Sequence, residues 1–433
     1  MGLLIGMGSI KPATQNDNYY GIEWDTTVSN PIPTRIGKME LHQSLPVQSK
    51  MRRCLLLDDG TVNYYLDEND SSKREDGSPA DLTGKDGQFM VELPEMYVKF
   101  ETEGTKCRAL ISDKPISGFT KWRKDYVSVD EACIHRPTNT LCAVVNNSPD
   151  YRGGNNDASN DDWFEGLSLL QRPASGFTFF EYRENARKRG SDAWNGFLYQ
   201  IYRKLWWLFA IEYCNFDMQA PFNAKLTPEG FHQGGLGQGV TNLESYAWQS
   251  YNRYCPFVPC GMTLALGNHS GVTNYTTIAG AAGFVEIPTY RGVTNIFGHT
   301  LKFLDGCFAN IMSSEEVDAK SEFWVCDNPS EFAESITKAY ELRGEMPRDE
   351  GFIKSVILGE QGEVMPHEIG ASSSTYFCAQ CTLWVDFYTQ PTVVVAGGES
   401  WSGEKASLLY VDFYEPTTAA NKICTRLCYH PLN

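Results

Sequence analysis

The sequence predicts a loop-rich α+β fold built from many short strands and few helices. Three observations carry this. Short apolar or alternating runs, bounded by Gly, Pro and Asn, recur along the chain and read as strands. Helical spacing is confined to residues 182–188, 198–213 and a later stretch, 329–342. Finally, 23 Phe, 22 Tyr and 10 Trp stand beside 38 Gly in 433 residues. That balance suits loops pinned by aromatic clusters, and aromatic side chains also suit recognition surfaces.

Taken in order, residues 1–20 are polar and turn-rich and read as an arm. Residues 21–66 hold short apolar runs broken by Pro31, Pro33 and Pro46, with a strand at 61–66 after the Asp59-Gly60 turn. A charged Asp/Ser/Lys/Gly stretch at 67–87 is the best boundary. It divides a small β-rich N-terminal region, residues 1–85, expected to serve attachment or oligomerisation, from one continuous domain, 86–433. Strands follow at 89–94 and 96–100. In 198–213, Leu198, Tyr202, Leu205, Trp206, Phe209 and Tyr213 share one face, the mark of a core helix rather than an aromatic cofactor box. Beyond Phe216 the chain turns Gly/Asn/Thr-rich. Gly-Val-Thr-Asn recurs at Gly239, Gly271 and Gly292, and Tyr-Arg-Gly-x-x-Asn at Tyr151 and Tyr290; the uneven spacing excludes a solenoid. These copies read as turns in which Gly takes positive φ and Asn caps. Strands close the chain at 375–378, 392–395, 408–413 and 425–429.

A net charge of -17 repels phosphate backbones, so no nucleic-acid partner is expected. The short basic runs 121–124 and 187–189 read as solvated faces. Thirteen cysteines cannot all pair within the chain and form no even framework, which fits cytosolic synthesis with mostly buried thiols. The N-terminus has no basic n-region and no clear cleavage site, and the apolar run 205–211 is too short to span a bilayer. Walker, His-Glu-x-x-His and Gly-x-Ser-x-Gly patterns are absent, and Gly235-Leu236-Gly237-Gln238-Gly239 reads as a loop, since no helix start follows it. Cys378 and Cys381, with Cys424 and Cys428, offer four thiolates for structural zinc, and Cys424 and Cys428 approach each other if they share one strand face. Asp157, Asp161 and Asp162 offer carboxylates for calcium. Neither set has regular metal-site spacing, so no cofactor, metal ligand or catalytic residue is assigned.

Several segments carry a family likeness. The run Leu301-Lys302-Phe303-Leu304-Asp305-Gly306, preceded by Phe297-Gly298-His299, is the first. Val393 to Trp401, containing Gly397-Gly398-Glu399-Ser400-Trp401, and Thr425-Arg426-Leu427-Cys428 follow. Together they resemble the closing motifs of the C-type-lectin-like fold of the formylglycine-generating-enzyme type, with residues 181–213 in the place of that family's two helices. Gly21 to Thr27, Leu45 to Ser49, Tyr151 to Asn156, Gly234 to Gly237, Tyr290 to Val293 and Arg426 to Tyr429 are similar to one branch. That branch is the variable proteins of diversity-generating retroelements and related tail adhesins of phages infecting gut Bacteroidales. Two positions depart from the pattern: Phe303-Leu304 stands for a tryptophan-rich strand, and Thr425 replaces the usual Gly before the terminal Arg.

The resemblance implies a phage receptor-binding protein of the virion tail, made without a signal peptide and released by lysis. It implies a glycan or protein receptor on the host surface, other tail proteins as partners, and a homotrimer. Two alternatives accompany it: a formylglycine-type cysteine oxidase using Cys424 and Cys428, and a purely structural tail component. In the family, mutagenic reverse transcription varies adenines in a C-terminal repeat, here segment 371–433. Outcomes reachable from Asn codons include Phe377, Ala379, Cys381, Leu383, Asp386, Phe387, Tyr388, Ser402, Leu409, Asp412 and Tyr414. Trp384 and Trp401 join this expected ligand-binding face, while Gln380, Glu404 and Lys405 read as framework. Leu383, Phe387, Tyr388 and Tyr414 are bulky apolar groups in apparent loops, so they are expected to be exposed; buried strands give the same pattern.

Overall fold

Alternating burial along strands, and continuous burial where both faces are covered, organise the chain into sheets packed around one long helix. The computed structural model describes residues 18–28, 32–154, 169–244, 258–276, 284–370, 372–373, 375–388 and 391–432. Strands hold 37% of the chain and helices 12%, so the α+β expectation holds with the weight on β.

The largest sheet runs Glu341–Glu345, Ser321–Val325, Leu301–Ile311, Thr392–Ala396, Val411–Tyr414, Gln380–Cys381, Gly351–Leu358, Glu363–Gly370, and nearly closes into a barrel. Ile423–Cys424 adds to it in parallel beside Leu301–Ile311. Within Leu301–Ile311 the register against Thr392–Ala396 shifts between Leu304 and Ala309. Gly306 sits in that bulge at φ +88°, where a Cβ would meet the Phe332 ring at 2.7 Å, so this position requires glycine.

Helix Tyr199–Tyr213 is buried nearly all round, as a helix enclosed by sheets must be. Trp207 stacks on Trp24 at 5.8 Å, and Trp206 faces Phe216 and Phe377. Its buried charges are all paired: Arg203 with Glu363, Lys204 with Asp125, and Glu212 with Arg291. Helix Phe179–Arg187 starts in a Thr178/Glu181 capping box and sends Arg183 to Asp305, with bonds of 2.6 and 3.0 Å.

The expected boundary near residue 85 does not separate two cores. Strand Arg52–Leu56 pairs with Gln88–Leu93, and Tyr20–Asp25 pairs with Lys106–Ser112. Tyr20, Ile22 and Trp24 share one hydrophobic cluster with Trp206, Phe297 and Phe413. The charged stretch 67–87 is therefore an excursion between paired strands; its polarity reflects exposure rather than a domain edge.

Other expectations need correction. Residues 329–342 form one 3₁₀ turn, Pro329–Glu331, and enter strand Glu341–Glu345 rather than a helix. The Gly-Val-Thr-Asn copies differ: Gly239 and Gly292 take positive φ in turns, but Gly271 to Asn274 lie within strand Gly271–Thr276. Residues 375–378 form no strand, and 425–429 split in two. Ile423–Cys424 joins the barrel-like sheet, while Cys428–Tyr429 joins a second sheet between Trp194–Asn195 and Asp125–Ser128. Between them Arg426, wholly buried, donates to the carbonyls of Ser128, Val129, Thr294 and Asn295. One guanidinium thus satisfies four backbone acceptors from two separate segments.

Candidate binding face

Three strand connections carry the expected face and its surroundings. Residues 382–391 link Gln380–Cys381 to Thr392–Ala396, residues 397–410 link that strand to Val411–Tyr414, and residues 312–320 link Leu301–Ile311 to Ser321–Val325.

The first connection and the residues that lead into it divide sharply. Phe377, Ala379, Cys381 and Leu383 are buried, and Phe377 packs against Phe216 with ring centroids 4.8 Å apart. Tyr388 is buried too, its hydroxyl donating to the Phe413 carbonyl at 2.9 Å. Leu409 is wholly buried, and Ser402, Asp412 and Tyr414 are half-buried. These positions are core contacts or their margin, which corrects the expectation that they stand open to a ligand. The physical reason is that residues 376–383 pack against the core, with Phe377, Ala379, Cys381 and Leu383 in the main hydrophobic cluster, where apolar groups gain from burial.

Trp384 and Phe387 do stand open, 58% and 65% exposed, with their rings edge to face at 6.1 Å. Between them Asp386, at φ +71°, turns its carboxylate onto the neighbouring 312–320 connection. It accepts from the Ser314 amide at 2.6 Å, from the Ser313 hydroxyl at 3.0 Å, and from the Ser314 hydroxyl. Those bonds, the Ser314 hydroxyl foremost, hold the carboxyl below its ordinary range. The two turns are thereby tied together, and Val317, on the second, is 91% exposed. The sequence reading missed Ser313, Ser314 and Val317; the one signal was a lone apolar residue within Ser-Ser-Glu-Glu-Val-Asp.

Trp401 is also exposed but lies at the other end of the sheet. The antiparallel register sets Val393 against Tyr414 and Ala396 against Val411. Trp384 and Phe387 precede Thr392–Ala396 and Trp401 follows it, so roughly 17 Å of strand separates them. Beside Trp401, Ser400 binds the 240s and 290s segments through Leu243 and His299. The expected face is therefore two surfaces, and the Trp384–Phe387 edge carries two of its three exposed aromatic rings.

Titratable groups behind that edge are tuned by burial. Asp412 is pushed up to about 7, with the Phe413 amide and the Lys422 ammonium acting against the rise. The described cysteines are all free thiols. Cys424 and Cys428 are both buried, in strands of different sheets rather than on one strand face, and burial pushes the Cys428 thiol up. A nucleophilic thiol needs the reverse, access and a lowered pKa, which weighs against the oxidase alternative. Among the described residues no group of three or more His, Cys, Asp or Glu is placed to hold a metal, so Cys378, Cys381, Cys424 and Cys428 do not assemble as zinc ligands. Asp157, Asp161 and Asp162 lie outside the described residues. Among the described residues no helix is long and apolar enough to cross a membrane.

No protein-family model matches the chain, and no curated protein matches it either.

Proposed function

We propose that this chain is a receptor-binding adhesin of a phage tail, with a C-type-lectin-like fold of the formylglycine-generating-enzyme type. Its contact with the host surface, through a glycan or a protein, is made at the Trp384–Phe387 edge. One observation carries the reading: two large aromatic rings are held in solvent on a turn that is itself fixed, by Asp386 to the adjoining connection and by Tyr388 to the sheet. Exposing such rings forgoes on the order of 2 kcal/mol of burial each. A rigid support with an aromatic anchor is the arrangement binding sites use. The order of motifs from Gly21 to Tyr429 supports the same assignment. Residence in the virion tail, a homotrimer for avidity and association with other tail proteins belong to this proposal.

The test is binding of labelled full-length chain to intact Bacteroidales cells. Saturable binding is expected, lost in Trp384→Ala/Phe387→Ala while the melting temperature stays put. Binding that survives the double substitution moves the contact elsewhere. Failure to bind any strain favours a purely structural tail component.

A further inference from the structure

Strands Cys133–His135 and Thr140–Cys142 form a sheet of their own, two strands wide. A hairpin of this size has little stability in isolation. Another segment nevertheless hangs on it. The Arg136 amide donates to the Asp150 carbonyl, and the Arg136 guanidinium donates to the carbonyls of Arg152 and Gly153.

The register sets Cys133 directly opposite Cys142. Opposed residues of an antiparallel pair stand about 4.5–5.5 Å apart at Cα, inside the roughly 4.4–6.8 Å that a disulfide spans. The two side chains lie on one face of the hairpin, in a small cluster with Val144 and Tyr151. Both are free thiols in this structure, and the Cys133 thiol donates to the Cys142 carbonyl at 3.5 Å. Among the described residues no other strand register sets two cysteines opposite each other.

The surroundings of the two thiols differ. Cys133 is buried, whereas Cys142 lines a cleft of about 350 Å³, which Asp58, Lys85, His135, Lys188 and Arg189 also line. The Arg189 Nη2 stands 3.0 Å from the Cys142 sulfur. Burial raises both thiols above their ordinary range, and this guanidinium, bonded to the Cys142 sulfur, opposes the rise there. Cys142 is therefore the attacking thiol. It is 3% exposed, so an oxidant that reaches it must be close to water in size. A thiol held this high suits no catalytic cycle, but a bond made once per molecule needs no turnover.

We propose that Cys133 and Cys142 are an oxidation site, closed to a disulfide by hydrogen peroxide when the chain passes from reducing to oxidising surroundings. The Cys142 thiolate attacks one peroxide oxygen and the O–O bond breaks. Cys142 becomes the sulfenic acid, and the departing hydroxide takes up the thiol proton as water. The Cys133 sulfur then displaces hydroxide from the Cys142 sulfur, and its own proton leaves with that hydroxide as a second water. The two sulfurs lose two electrons, and one peroxide is reduced to two waters. The new S–S bond fixes the hairpin and, through Arg136, the segment 150–153. This site is independent of what the Trp384–Phe387 edge contacts.

Peptide mass mapping tests this. The folded, fully reduced chain is treated with hydrogen peroxide, remaining thiols are blocked with N-ethylmaleimide in denaturant, and the chain is digested with trypsin. Residues 125–152 leave as one peptide, since Pro137 protects the bond after Arg136, and it holds Cys133 and Cys142 and no other cysteine. This peptide is expected without maleimide and lighter than its dithiol form by two hydrogens. In Cys133→Ser, Cys142 should instead stop at a sulfenic acid that dimedone traps. The proposal is overturned if the wild-type peptide still takes up two maleimides under excess peroxide, or if Cys142 passes to the sulfinic acid without cross-linking. Pairing of either cysteine with a different one, or a folded Cys133→Ser chain with no dimedone adduct at Cys142, overturns it equally.

Discussion

Residues 376–383 and the turn 384–387 are contiguous and similarly apolar, yet they meet opposite environments. Phe377 is 1% exposed and Phe387 is 65% exposed, ten residues apart. The difference is made by partners. Phe377 lies against Phe216 and Trp206, whereas among the described residues the ring partners of Phe387 are its turn neighbours Trp384 and Tyr388. An aromatic residue in a loop is thus neither core nor binding surface by type; the packing behind it decides.

The comparison can be broken most forcefully at Phe377. Phe377→Ala is expected to cost about 3–5 kcal/mol, the usual range for emptying a buried aromatic site, read as a lower midpoint in denaturant unfolding. A shift no larger than that of a surface substitution would place residues 376–383 on the outside after all.

Asp412 sharpens the contrast through pH. Its folded-state carboxyl titrates at about 7, above the ordinary value of about 4. The folded chain therefore holds this proton more firmly than the unfolded chain does. That contribution to stability is complete below pH about 4 and is lost as pH rises through about 7. Asp412→Asn removes the dependence and should stabilise the protein by on the order of 2 kcal/mol at pH 8, with little change at pH 4. Parallel melting curves of the two proteins across this window would exclude a raised Asp412 carboxyl.

A smaller effect is expected at Tyr388. Tyr388→Phe keeps the ring and removes only the hydroxyl bond to Phe413, for a loss of about 1 kcal/mol, measurable by chemical denaturation. A neutral result would mean that this bond does not fasten the turn.

The smallest effect belongs to the exposed pair. Trp384→Ala and Phe387→Ala should each change stability by less than about 0.5 kcal/mol. A loss several times larger in thermal unfolding would show the two rings to be packed rather than presented.

Much of the frame was legible. Residues 198–213 read as a core helix and form Tyr199–Tyr213; 392–395 read as a strand and form Thr392–Ala396. Both depend on local periodicity, which neighbouring residues specify. What failed was non-local. Strands Gly351–Leu358 and Glu363–Gly370 went unread because Lys354, Glu360 and Glu363 interrupt any clean alternation. The boundary at 85 was misplaced because the partner of Arg52–Leu56 lies beyond the polar excursion, and composition carries no record of pairing. On the candidate face, exposure of Trp384 and Phe387 was anticipated, but burial of Phe377, Leu383, Tyr388 and Leu409 was not, since buried strands and exposed patches share one vocabulary of residues.

The short strand Cys428–Tyr429 lies between Trp194–Asn195 and Asp125–Ser128, and Arg426 beside it gathers carbonyls from the 120s and the 290s. This arrangement sets the order of assembly. A chain emerging from the ribosome reaches residue 195 long before the strand that joins it to the rest of its sheet exists. The short strand Trp194–Asn195 and the four strands on the other side of the gap therefore wait, with open edges, through the synthesis of more than half the polypeptide, a state prone to association with other chains. Ribosome-bound chains stalled before residue 426 should accordingly be digested by protease throughout, and chains extended well past 429 should become resistant in a single step.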